Sequence, residues 1–98
     1  MAKVREINRE GKLIGYTFYC PGCQHNHAIY TNYDGHPKWD FNGDIQKPKF
    51  NPSLLVTVRN HSDPKKRRCH SFIRDGKIQF LSDCTHNLAD RTINMVDI

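Results

Sequence analysis

Two cysteines and two histidines fall within the stretch Phe18-Tyr19-Cys20-Pro21-Gly22-Cys23-Gln24-His25-Asn26-His27. Thiolates separated by two residues can grip one ion while the intervening backbone amides donate to the sulfurs. Pro21 stiffens such a loop, and Gly22 offers the left-handed conformation that a tight knuckle can require. A redox pair would head a helix in a strand-helix-strand unit. This pair runs into another extended segment, so metal binding is the favoured chemistry.

A closed tetrahedral site needs four donors. The next candidates, Cys69, His70, Cys84 and His86, begin about 45 residues further on. Neighbours in a strand point to opposite faces, so Cys69 and His70 cannot easily serve one ion, and Cys69 matches the first two thiolates. The fourth ligand is either Cys84, giving four cysteines, or His86, giving three cysteines and a histidine. The expected cofactor is a single structural Zn2+. His25 and His27 read as exposed loop residues or as hydrogen-bond partners of the sulfurs, with a ligand role the lesser alternative, and His36 and His61 as solvated. His70, Asp83 and His86 form a polar group beside the metal, fit either to pin loops and ligands or to perform acid-base chemistry.

Strands must position these residues. Lys12 to Tyr19 is rich in β-branched and aromatic residues, and Asn8-Arg9-Glu10-Gly11 has turn chemistry, so Val4 to Ile7 is its expected partner. Further strands are expected over His27 to Thr31, Ser53 to Arg59, Cys69 to Arg74, Lys77 to Ser82 and Arg91 to Val96. A helical turn is allowed only at Thr85 to Asp90, where Thr85 could cap it. In CHSFIRDGKIQFLSDC, Asp75-Gly76 predicts a two-residue primed turn, which pairs Arg74 with Lys77, Ile73 with Ile78, Ser71 with Phe80 and Cys69 with Ser82. Period two then places Cys69 and Cys84 on one face near the open end of the hairpin. The fold class is mainly β: a small antiparallel domain of hairpins stapled by zinc, with at most one short helix, spanning residues 1–98.

Asn32 to Pro52 is dense in Gly, Pro, Asn and Asp and reads as a surface segment pinned by Trp39, Phe41 and Phe50. Four adjacent cations, Lys65, Lys66, Arg67 and Arg68, precede Cys69. They could neutralise phosphates in a salt-dependent way, although runs this short are usually solvated. The formal charge of +5 fits nucleic acid or an acidic protein equally well.

With 98 residues and 37% apolar composition, the chain has a small core that a bound ion would reinforce. No stretch approaches the roughly 20 apolar residues of a membrane span, and the first residues lack a signal-like apolar run. The expected location is a reducing cytoplasm, where a C-x-x-C pair binds metal more often than it forms a disulfide.

The order CPGC, WDFNGD, PKFNPSL and CHSFIRDGKIQFLSDCTHNLAD resembles a family of small phage and prophage proteins often labelled ammonia monooxygenases. The resemblance covers residues 16–97 and implies a compact, cysteine-rich, zinc-binding domain of viral origin acting in the bacterial cytoplasm. Thiolate-rich tetrahedral sites favour zinc over the redox-active, oxygen-binding metals of a monooxygenase, so that label has no support in the residues. The expected function is that of an accessory protein that binds a host or phage macromolecule without catalysis of its own. The alternatives are a nucleic-acid-binding module using Lys65 to Arg68 and a metal-dependent hydrolase using His70, Asp83 and His86.

Overall fold

The computed structural model describes residues 2–60 and 63–98, with side chains given for all of these except 58–60 and 63–67. Two antiparallel sheets share one core. The first holds β1 (Arg5–Arg9), β2 (Lys12–Cys20) and β3 (His25–Tyr30) in the order β1-β2-β3. The second holds β4 (Asp40–Phe41), β5 (Phe50–Asn60), β6 (Asp63–Arg74), β7 (Lys77–Phe80) and β8 (Thr92–Asn94) in chain order. The described residues contain no helix: Thr85 to Asp90 forms turns, among them one closed by the Ala89 N–H on the His86 carbonyl.

The sheets meet through the apolar positions of alternating strands. Phe18 and Ile29 from the first sheet are buried together with Phe50, Leu54, Ile73, Ile78 and Phe80 from the second. Tyr16 bridges them, its ring 4.5 Å from Phe41 and 6.1 Å from Phe50. Trp39 and Phe41 pack on this core, as expected of the aromatic residues in the Gly- and Pro-rich segment. The polar residues of that segment fold it locally. The Asn42 side chain accepts from the Asp44 and Lys49 amides, and Asp44 accepts from those of Gln46 and Lys47. Those two amides hold the Asp44 carboxyl below the usual carboxylate range. This compact turn delivers Pro48 and Phe50 to the core at the start of β5.

The hairpin around Asp75-Gly76 has the expected register, Arg74 with Lys77, Ile73 with Ile78 and Ser71 with Phe80. Asp75 and Gly76 have φ of 51° and 72°, as a primed turn requires. β7 ends at Phe80, so the expected pairing of Cys69 with Ser82 does not extend the ladder. The run Lys65 to Arg68 belongs to β6 rather than to a loop. β5 is less regular: its register against β6 shifts between Phe50 and Leu54, which inserts extra residues opposite one stretch of partner strand. Such a bulge re-aims the side chains on it, and Ser53 lies on it.

Candidate functional site

The outer face of the second sheet carries a polar line that begins at this bulge. Leu54 is buried, so Ser53 and Leu55, one residue to either side, face outward. On β6, Cys69 and Ser71 are buried and His70 between them faces the same side as Ser53. Leu55 pairs with His70, which sets Ser53 diagonally across from the imidazole. The Ser53 Oγ lies 3.0 Å from His70 Nε2. The other ring nitrogen, Nδ1, lies 3.3 Å from Asp83 Oδ2. An ionised carboxylate only accepts, so Nδ1 carries the proton; in the neutral imidazole Nε2 is then the acceptor, and the Ser53 hydroxyl donates to it. Serine, histidine and aspartate stand in the relay that makes a hydroxyl nucleophilic. The side chains of His70 and Asp83 remain 27% and 39% exposed, open to solvent.

Asp83 is held by the turn that follows β7. Cys84 Sγ accepts from the His70 N–H and donates to the His70 carbonyl, both at 3.2 Å. Thr85 does the same for Arg68, its Oγ1 taking the Arg68 N–H at 3.0 Å and donating to the Arg68 carbonyl. Two side chains thus stand in for a strand along β6 and fix the carboxylate beside the ring. Arg68 adds an ion pair of 3.8 Å to the same Asp83 oxygen. The other cations of the basic run, Lys65, Lys66 and Arg67, have side chains outside the described residues.

On the opposite face of β6, the donor atoms of Cys20, Cys23, His27 and Cys69 lie within 4.8 Å of one another and could hold a metal ion. Cys20 ends β2, Cys23 follows in the knuckle closed by the Gln24 N–H on the Cys20 carbonyl, and His27 comes from β3. Cys20 and Cys69 sulfurs are 3.9 Å apart. Two thiolates on a tetrahedral zinc, each at about 2.3 Å, would stand about 3.8 Å apart. His27 is 4% exposed, and its Nε2 is buried without a hydrogen-bond partner among the described residues. An orphaned imidazole nitrogen facing sulfur is what a metal ligand looks like before the ion is added.

The thiols also differ in acidity. The Cys69 S–H donated to it, with a smaller contribution from His27, pulls Cys20 down to about 3. Burial and the Cys20 charge push Cys23 up to about 11. Cys69 is pushed up as well, by its bond to Cys20 and by burial. One sulfur therefore holds the negative charge and the others keep their protons until a cation compensates them.

Cys84 and His86 form a second group of donors with Cys69, also within 4.8 Å. Cys84 brackets the His70 backbone. His86 is engaged through one ring nitrogen only: Nδ1 accepts from the Leu88 N–H at 3.2 Å, whereas Nε2 is buried without a partner among the described residues, as in His27. The His86 ring packs edge-on against Phe80 at 4.7 Å and lies over Gly22. Gly22 has no positive φ; the left-handed residue of the knuckle is Gln24, at 59°. The glycine is needed for space, because an added Cβ would sit 2.4 Å from the His86 ring.

Of the residues singled out in the sequence, Cys20, Cys23 and Cys69 converge as expected, and His70 lies beside Asp83. Ser53 carries no signal of its own in the sequence, and His27, for which a place among the ligands was the lesser alternative, stands among the donors.

A serine, a histidine and an aspartate in line across one face, with a thiol cluster behind them, is an arrangement able to activate a serine hydroxyl. The family comparison agrees with that description. The chain belongs to the BubE family, described as a bacterial ubiquitination-like system serine protease, whose model matches residues 2–81. The match includes Ser53 and His70 and stops short of Asp83. It gives no support to the monooxygenase label. Neither curated proteins nor solved structures yielded a match. No helix among the described residues is long and apolar enough to cross a membrane.

Proposed function

We propose that this protein is a serine protease of a bacterial ubiquitination-like system, with Ser53 as nucleophile, His70 as general base and Asp83 as the residue that orients and charge-stabilises His70. The carrying observation is the continuous hydrogen-bonded line from Ser53 Oγ to His70 Nε2 and from His70 Nδ1 to Asp83. The family description supports the reading. It departs from the non-catalytic binding role expected from sequence, and the chemistry of His70 and Asp83 runs through serine instead of a metal-bound water.

In this mechanism Ser53 Oγ bonds to the substrate carbonyl carbon as its proton passes to His70 Nε2. The imidazolium so formed faces the Asp83 carboxylate. It then returns the proton to the leaving amine as the C–N bond breaks, which leaves an ester on Ser53. A water activated by the same nitrogen hydrolyses that ester.

The thiol cluster supplies structure. Cys20, Cys23, Cys69 and His27 would hold one Zn2+, which joins the knuckle to β6 directly behind His70. His27 takes the place that the sequence offered to Cys84 or His86. A closed set of four protein donors leaves no position for substrate or water, so the ion would contribute folding energy rather than catalysis. The protein acts in the bacterial cytoplasm, where thiols stay reduced.

A fluorophosphonate probe, which bonds covalently to activated serines, tests the assignment. Labelling of the wild-type protein on the tryptic peptide containing Ser53, lost in Ser53→Ala and in His70→Ala, is the expected result. Labelling that survives in Ser53→Ala would overturn it.

A further inference from the structure

The edge of the sheet next to Ser53 is open. β4 pairs with β5 only at Phe50 and Asn51, and beyond that point the described part of β5 has a partner on the β6 side alone. Four observations fix which backbone groups face the open side. The Ser53 carbonyl points outward, since it accepts from the Trp39 indole N–H at 3.3 Å. His70, opposite Leu55, turns its N–H to Cys84 and its carbonyl to the Leu81 N–H, away from β5. Arg68, opposite Thr57, turns both of its groups to Thr85. The two-residue turn at Asp75-Gly76 makes Arg74 and Lys77 a hydrogen-bonded pair, so even-numbered β6 residues face β7 throughout. Leu55 and Thr57 are therefore non-hydrogen-bonded partners of β6, and their N–H and C=O groups project from the open edge. Among the described residues these groups have no partner.

Unprotected edges of this kind are templates for another strand. This one carries an outward Leu55, 53% exposed, two residues from the nucleophile. We propose that the open edge of β5 is the substrate-docking rail: an extended peptide adds to it as an antiparallel strand, in the line that β4 occupies further on and with the same polarity. The inference rests on the serine protease reading and deepens it.

The polarity decides which part of the substrate docks. A strand antiparallel to β5 passes Thr57, then Leu55, then Ser53. The docked residues therefore precede the scissile bond and become the acyl group on Ser53. The substrate residue that exchanges both hydrogen bonds with Leu55 places its side chain on the Leu55 face, so an apolar residue is favoured there. Trp39 closes the rail just past Ser53, where the leaving group must turn away. Side chains give selectivity and main-chain bonds give affinity, as in other strand-addition complexes.

The test uses wild-type protein, verified by fluorophosphonate labelling, and a proteome-derived peptide library. The best-cleaved peptide is then N-methylated at one backbone position at a time. Alternate positions on the acyl side should lose roughly tenfold or more in kcat/KM, because only every second N–H meets β5. Intervening positions should change less than about threefold, and the library should show an apolar preference at one of the sensitive positions. Uniform tolerance, sensitivity only after the scissile bond, or failure to cleave any peptide while Ser53 is still labelled would overturn the docking rail alone. Loss of Ser53 labelling would overturn the protease reading beneath it.

Discussion

Replacing Asp83 by Asn removes one charge while keeping the shape of the side chain, and its effect can be sized from the site. The carboxylate oxygen is 3.3 Å from His70 Nδ1. The imidazolium formed during attack would gain about 1 kcal/mol from that charge in water-like surroundings and about 5 kcal/mol at an effective dielectric near 20. Both side chains are partly exposed, and Arg68 draws on the same oxygen from 3.8 Å, so the true value falls toward the lower half, about 2 to 3 kcal/mol. At 1.36 kcal/mol per decade this is a loss of roughly 30- to 150-fold, well short of the ~10⁴-fold seen where the aspartate of a triad is fully buried. The assay is the second-order rate of fluorophosphonate labelling, which needs no knowledge of the natural substrate. The melting temperature, followed in parallel, should move little. An unchanged labelling rate in Asp83→Asn would refute the orienting role, and a loss equal to that of Ser53→Ala would refute the estimate of a partly solvated pair.

The remaining expectations concern the scaffold. A strong chelator that strips the ion should unfold the protein, since binding energies of about 10 kcal/mol or more for structural zinc rival the whole stability of a domain this size; an unchanged melting curve after verified metal removal would contradict this. Cys84→Ala should retain one equivalent of zinc by elemental analysis while losing about 1 to 2 kcal/mol of stability and several-fold in labelling rate, because it frees the His70 backbone; loss of zinc would instead make Cys84 the fourth ligand. Gly22→Ala forces a Cβ into the His86 ring and should lower the melting temperature by roughly 5 to 15 °C, as overpacking of about 1 to 2 kcal/mol does in a domain of this length. A thermal shift of about 1 °C or less would show that the knuckle can move away.

Local chemistry made part of this molecule legible. Asp75-Gly76 dictates a hairpin whose period-two alternation separates Cys69 from His70, and both consequences hold: sulfur faces the core and imidazole the outer surface. Cys20, Cys23 and Cys69 could be matched because thiols advertise their chemistry by type. Ser53 could not. A serine in a Pro- and Asn-rich stretch looks like any turn residue, and it reaches His70 only through the pairing of β5 with β6 and the bulge between Phe50 and Leu54. His70 beside Asp83 was the available signal, and asking which hydroxyl a neighbouring strand could bring to the imidazole would have led to Ser53. His27 was hidden for a related reason. Its burial depends on the antiparallel register that sets it opposite Phe18, not on its spacing from Cys23. The type of the knuckle glycine suggests conformational freedom, whereas the demand on it comes from the His86 ring, far along the chain.

The most direct measurement is a crystal structure of zinc-loaded protein after reaction with the fluorophosphonate. The account predicts phosphorus bonded to Ser53 Oγ, His70 Nε2 within hydrogen-bond reach of the adduct, and Asp83 on the far ring nitrogen. Phosphorus on another side chain, or His70 turned from Ser53 toward the thiol cluster, would contradict it.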